Sequence, residues 1–198
     1  MRPTCDNRGE SIADHMYRMS LITLLCPPAL AARIDISHCV RMCLVHDMAE
    51  LLVGDITPVD GVSKPEKSRR EAATMDYLMG SLLRGVQGGS DAGDVLRAAW
   101  QEYEDGESLA SKFVHDVDKI ELLLQMVEYE KRAAHRIDLS EFTYVADFVV
   151  LDETKAWAME IIQERDKFWE GREHSDWKAD AKLKKQEDDY CAELRKVD

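Results

Sequence analysis

The run Leu44-Val45-His46-Asp47-Met48-Ala49-Glu50-Leu51-Leu52-Val53-Gly54-Asp55 sets one histidine and three carboxylates inside an otherwise apolar stretch. With its upstream flank, Ile36 to Val53 has the makings of one continuous helix. On such a helix Glu50 falls four residues after His46 and three after Asp47, so all three side chains share a face. Met42, Cys43, Leu44, Leu51 and Leu52 surround that face, and ionised groups in apolar surroundings are costly unless paired or bound to a metal. A chain carrying this segment must therefore bring compensating partners to it from elsewhere, and a divalent ion shared with distant side chains is the economical solution.

The rest of the chain is read for such partners. Ser11-Ile12-Ala13-Asp14 nearly matches a capping box and opens an amphipathic helix that runs to about Leu25, where Pro27-Pro28 stops it. His15 lies between Ile12 and Met19 and points inward, either as a core histidine bonded to a carbonyl or as a ligand. Arg18, one turn on, is either a solvent-side arginine or an anion contact, the former being favoured. Asp35 or Ser37 caps the helix that carries the central run, and Gly54 suits its C-terminus. Asp55 follows at the start of a turn-rich loop. Ser63-Lys64-Pro65-Glu66 signals another helix start, with Lys64, Lys67, Arg69 and Arg70 forming a basic cluster that is a solvated face or a phosphate contact. Gly85 to Gly93 reads as a surface connection without phosphate-loop spacing, followed by a short helix from Asp94 to Glu104.

The segment from Ser108 to Arg132 separates two aspartates. Leu109, Phe113, Val117, Ile120, Leu124 and Val127 make one apolar stripe. Asp116 has Lys112 and Lys119 at helical spacing, the pattern of a solvent-side ion pair. Asp118 has Val114 and Leu122 at i−4 and i+4, which puts it beside the stripe without a basic partner and makes it the candidate ligand. His115 is expected to be exposed, and His38, His135 and His174 are expected at the surface. Helices through Phe142 to Val149 and from Asp152 to Phe168 follow. Beyond Gly171 the charge-dense remainder is expected to be a polar helix or a frayed tail, leaving a domain over 1–170 and a tail over 171–198. No strand pattern rivals the helical one, so the expected fold class is all-α.

Composition narrows the function. A formal charge of −13 argues against a nucleic-acid polymer as partner, since phosphate backbones are bound through Lys and Arg. A small anionic substrate is compatible with that charge if a bound divalent cation reverses the local field. No run reaches the roughly 18 apolar residues of a membrane span, and Met1 to Asn7 lacks the core of a signal peptide. Five scattered cysteines read as reduced thiols. A soluble, cytoplasmic protein without membrane contact is expected.

His15, His46-Asp47 and Asp118, taken together, resemble the H…HD…D pattern of the HD-domain metal-dependent phosphohydrolases. Glu10 to Met19, Leu44 to Glu50, Gly54-Asp55-Ile56, Pro58, Lys64, Glu66-Lys67, Arg69-Arg70-Glu71 and Glu128-Tyr129-Glu130 look like the 5′-deoxynucleotidase branch, the group of HD-domain-containing protein 2. The resemblance implies an HD-domain helical bundle, commonly a homodimer, that hydrolyses deoxyribonucleoside 5′-monophosphates. It also implies one or two divalent ions per subunit, manganese, cobalt or a similar ion such as magnesium, iron or zinc. His15, His46, Asp47 and Asp118 match the ligands of a first ion. Glu50, Asp55 and the backbone carbonyl of Ile56 match positions assigned to a second ion, with Glu50 otherwise the acid or base and Asp55 grouped with it as catalytic. Arg18, Lys64 and Lys67 are the candidate substrate contacts. Relatives carry an arginine- and tryptophan-bearing recognition segment ahead of the position of Glu10, which Met1 to Gly9 does not match, so that segment is expected to be shortened. Other HD phosphohydrolase activities, on nucleoside triphosphates or cyclic dinucleotides, and an inactive nucleotide-binding module are the competing readings.

Overall fold

A computed structural model describes residues 10–56 and 60–174; the expected tail beyond residue 174, the segment before Glu10, and Pro58 lie outside them. The described residues form an all-α bundle with no strand. It comprises α1 (Ile12–Thr23), α2 (Pro28–Ala31), α3 (Ile36–Cys43), α4 (Glu50–Val53), α5 (Lys64–Met75), α6 (Gly89–Asp105), α7 (Leu109–Arg132) and α8 (Asp152–Trp169). A π-helical segment, Asp76–Leu82, continues α5, and a 3-10 segment, Ser140–Phe148, links α7 to α8.

Local signals in the sequence account for most of the ends. Ser11 accepts from the Asp14 backbone, and Asp14 returns a bond to the Ser11 backbone, completing the capping box of α1. Asp35 caps α3 by accepting from the Ser37 and His38 amides. Ser108 caps α7.

α7 is the axis of the molecule, packing against α1, α3, α6, α8 and the 3-10 segment. Its N-terminal half buries Phe113, Val114 and Val117 against Met19, Cys39, Met42 and Cys43, while its C-terminal half buries Ile120, Leu123 and Met126 against Val145, Ala158 and Ile161. A third cluster, built on Met75, Met79, Ala99 and Trp100, supports Val45 and Ala49 of the central run.

Three expectations about local structure are corrected. The span from Ile36 to Val53 is two helices, because Leu44 to Ala49 form tight turns with Val45, Met48 and Glu50 each bonding a carbonyl three residues back. One local and one long-range bond support the break: His46 Nδ1 donates to the Cys43 carbonyl three residues back, and Trp100 Nε1 donates to the His46 carbonyl. The glycine-rich connection is shorter than expected, since α6 begins at Gly89. A Cβ at Gly89 or Gly93 would sit 2.0 Å from the Leu83 carbonyl oxygen or 2.5 Å from that of Met79, so these glycines serve close packing of α6 on the preceding segment rather than a loop.

Asp116 is the third. It is fully buried, accepting from the Val150 and Leu151 amides and from the Thr154 hydroxyl, at 2.9, 2.9 and 2.6 Å. It ties the start of α8 to α7 instead of pairing with lysine in solvent, and Lys119 donates to the His115 carbonyl.

Candidate metal centre

The break after α3 turns His46 into the core and leaves Asp47 at the mouth of a cavity. Its side chains are 1% and 29% exposed. α1 supplies His15 and α7 supplies Asp118. His15 Nε2 lies 3.2 Å from Asp118 Oδ1 and 3.6 Å from Asp47 Oδ2, and His46 Nε2 lies 3.1 Å from the same Asp47 oxygen. The two imidazole centroids are 5.4 Å apart. Donor atoms of His15, His46 and Asp47 all fall within 4.8 Å of one another, and Asp118 joins them through His15.

The chemistry of this donor set suits a divalent ion. His46 Nδ1 is committed to a carbonyl, and Nε2 is buried without a hydrogen-bond partner although a carboxylate oxygen is 3.1 Å away. A buried nitrogen facing a carboxylate in this way is the arrangement a cation completes, and mixed imidazole and carboxylate donors match first-row divalent metals. Without a cation, protons take that role. Burial opposes the charge of His15, but its bonds to Asp118 and Glu121 outweigh it and push the pKa up to about 10. Burial likewise opposes the charge of Asp118, yet the hydrogen bond from His15 and the nearby imidazoles hold it well below the usual carboxylate range.

The centre opens into a cavity of about 480 Å³, a size suited to a small ligand. Its lining combines the polar side chains of His15, Asp47, Glu50, Asp55 and Asp118 with the larger Leu122, Met126, Tyr129, Leu139 and Phe142. Glu50 is pushed up to about 7, by burial first and then by Asp47 and Asp55, with Lys67 working against them. Asp55 is exposed and lines the cavity, and Ile56 follows it half-buried.

The candidate substrate contacts are distributed differently. Arg18 is neither free nor simply in solvent: Nε donates to Glu121 at 2.7 Å, and its terminal nitrogens donate to Glu128 at 2.8 and 3.1 Å. Lys67 pairs with Glu71 at 3.6 Å while remaining within electrostatic reach of Glu50. Lys64 and Arg70 stand on the same helix, but Arg69 and Arg70 are both paired with Glu66. His115 is half-buried rather than exposed, stacked on Tyr103 at 4.0 Å. His38 bonds Glu102 and His135 stacks on Phe168, both half-buried, whereas His174 is exposed as expected.

The sequence reading missed several residues around the centre. Tyr103 donates to Asp118 Oδ2 at 3.1 Å and lies 4.8 Å from the His46 ring; burial and Asp118 push its phenol pKa well up, which keeps that proton in place. Nothing in its local pattern marked it. Glu121 was legible in principle, because it has Val117 at i−4 and lies one turn from Asp118.

The family model for the HD domain matches residues 2–157. The chain belongs to the HD-domain family. Among its HD relatives, a Schizosaccharomyces pombe protein named 5′-deoxynucleotidase hdd1 is 40% identical over 162 residues, covering 82% of this chain and 79% of that one. A human protein named 5′-deoxynucleotidase HDDC2 is 42% identical over 123 residues, a match that covers 62% of this chain and 56% of that one. The solved structure of the HD domain-containing protein YGK1, from Saccharomyces cerevisiae, superposes with a TM-score of 0.62 at 33% identity, covering 80% of this chain and 79% of that one. The helical HD bundle expected from the sequence is therefore the observed fold.

Proposed function

We propose that this HD-domain chain is a metal-dependent phosphomonoesterase that hydrolyses deoxyribonucleoside 5′-monophosphates to the deoxyribonucleoside and phosphate, a 5′-deoxynucleotidase. The observation that carries the reading is the gathering of His15, His46, Asp47 and Asp118 beside a ligand-sized cavity in a chain about 40% identical to proteins named for that activity. We assign the HD domain to 1–170 and a charged helical or frayed tail to 171–198; the family match over residues 2–157 falls within the first of these.

His15, His46, Asp47 and Asp118 are assigned to hold the first divalent ion, manganese or cobalt in the leading version and magnesium, iron or zinc otherwise. Glu50, Asp55 and the Ile56 carbonyl are assigned to a second. Such an ion supplies, when bound, Lewis-acid screening of the phosphate and a more acidic attacking water. The protein's own groups do the rest. Asp47, Glu50, Asp55 and Asp118 would repel a phosphate dianion if nothing balanced them, so the same carboxylates that gather the ion make substrate binding depend on it. Where the second ion is absent, Glu50 is instead the acid or base, giving a proton to the 5′-oxygen as the phosphorus–oxygen bond breaks and taking one back from the water that adds to phosphorus. Asp55 raises the Glu50 pKa and so sets when that proton is available. Lys67, within electrostatic reach of Glu50, is a better phosphate contact than Arg18, which is committed to Glu121 and Glu128.

No described helix is long and apolar enough to cross a membrane, and Cys26, Cys39 and Cys43 are free thiols, which suits a cytoplasmic location. The homodimer implied by the resemblance belongs to this reading, and light scattering of the purified chain measures it. The activity is tested by phosphate release from dAMP and AMP, with manganese, cobalt or chelator. Turnover of dAMP that requires the ion and exceeds that of AMP is expected. Turnover of only triphosphates or cyclic dinucleotides, or of none of these, contradicts the assignment.

A further inference from the structure

The buried carboxylate of Glu121 is shared by three side chains, and that arrangement points past the ligand set. Glu121 is 1% exposed. Its Oε2 lies 2.8 Å from His15 Nδ1, its Oε1 accepts from Arg18 Nε at 2.7 Å, and Gln125 Nε2 lies 3.1 Å from both oxygens. A carboxylate only accepts hydrogen bonds, so His15 must carry a proton on Nδ1. That leaves Nε2, the nitrogen facing Asp47 and Asp118, to act as the donor atom toward a cation. Arg18 supplies the positive charge that makes a buried carboxylate tolerable, and it is itself fixed by Glu128.

We propose that Glu121 is the positioning residue of the metal centre: braced by Arg18 and Gln125, it fixes the orientation and tautomer of His15 so that Nε2 is presented to the ion. The inference rests on the assignment of His15 as a metal ligand. It differs from the other way of reading the cluster. Glu10, His15 and Glu121 also bring donor atoms within 4.8 Å of one another, as a separate cation site would. There, however, the guanidinium already lies 2.7 Å from Glu121 and 3.6 Å from Glu10, and His15 Nδ1 is already hydrogen-bonded, so a second cation would have to displace both. An outer carboxylate that orients a ligating imidazole is a recurrent device, and its loss usually lowers metal affinity about 10- to 100-fold.

The test is manganese titration of the full chain by calorimetry, comparing wild type with Glu121→Gln, Glu121→Asp and Glu130→Gln, together with the 15N ring signals of His15 in the zinc-loaded proteins. A glutamine at 121 has one acceptor where His15 and Arg18 need two, and an aspartate is too short to reach His15. Both are expected to bind manganese roughly 10- to 100-fold more weakly, and the Nδ1-protonated signature of His15 should be lost or averaged. Glu130→Gln, which alters an equally buried carboxylate away from the centre, should lower thermal stability and leave manganese affinity unchanged. Either Glu121 variant binding manganese as tightly as wild type, with an unchanged His15 signature, overturns the proposal while leaving the metal centre standing. A wild-type chain that binds no manganese overturns both.

Discussion

Two clusters of charge, one buried and one at a cavity, lie on opposite halves of α7, and they are built on opposite principles. Around Glu130, which is fully buried, every acceptor has a permanent donor: Arg165 donates to both carboxylate oxygens at 2.9 and 2.8 Å, Trp169 Nε1 at 2.8 Å and the Leu139 amide at 2.7 Å. Arg165 also pairs with Asp138 at 2.8 Å. At the other cluster, Asp47 and Asp118 face imidazoles whose charge depends on protons, and His46 Nε2 has no hydrogen-bond partner. The first cluster is complete within the chain and fastens α8 to α7. Under the proposed function the second is completed by a divalent ion, which is what sets a binding centre apart from a structural ion pair made of similar side chains.

The comparison predicts opposite outcomes for single substitutions. Asp118→Ala removes one of the carboxylates that gather the ion, so manganese binding should be lost and dAMP hydrolysis should fall by at least about 100-fold, while a melting curve of the metal-free protein stays near wild type. Glu130→Ala leaves the buried Arg165 with Asp138 alone and strips Trp169 Nε1 and the Leu139 amide of their acceptor, and should cost about 3–5 kcal/mol in urea unfolding while the folded fraction keeps its manganese affinity. If Glu130→Ala abolished metal binding at unchanged stability, the two clusters would not be separable in this way.

Asp116 sharpens the contrast from two residues away. Its three bonds hold the beginning of α8, so Asp116→Ala should destabilise by about 2–3 kcal/mol, read as a lowered unfolding midpoint, with turnover per folded molecule retained. The lysines at i−4 and i+3 made this residue look solvated, because helical spacing shows which neighbours are near on its own helix but not what packs across from it. By contrast the neighbours Val114 and Leu122 were enough to put Asp118 beside the buried stripe, and it lies 3.2 Å from His15. The central run was harder to read. Its charged residues pointed to the candidate centre, but at the interruption over Leu44 to Ala49 the His46 carbonyl accepts from Trp100, 54 positions away in sequence, and no local periodicity reports that bond. Gly89 and Gly93 were misread for the same reason: glycine required by a close helix contact looks like glycine required by a turn. Capping, which is local, was legible at Ser11, Asp35 and Ser108.

The smallest predicted effect is on pH dependence. In the metal-free protein His15 holds a proton up to about pH 10 and Glu50 up to about pH 7, so an incoming ion must displace them. Manganese affinity should therefore rise with pH through the neutral range, and calorimetry in buffers of different ionisation enthalpy should detect proton release. The sign for stability follows from the same shifts. Glu50 is raised above its ordinary 4.5, so the folded state binds its proton more tightly and loses stability as pH climbs from about 4.5 to 7. His15 is also raised, so its contribution is fully present below about 6.5 and is lost as pH rises through about 10. Manganese affinity that did not change with pH would mean that the ion binds away from these two groups.

The most direct test is the position of the ion itself, found by anomalous scattering at the manganese edge from crystals grown with manganese. The account predicts a peak between α1, the turns after α3 and α7, coordinated by the Nε2 atoms of His15 and His46 and by carboxylate oxygens of Asp47 and Asp118. A peak at any other site with these four side chains left unligated, or no peak in crystals of a chain that hydrolyses dAMP in manganese, would contradict it.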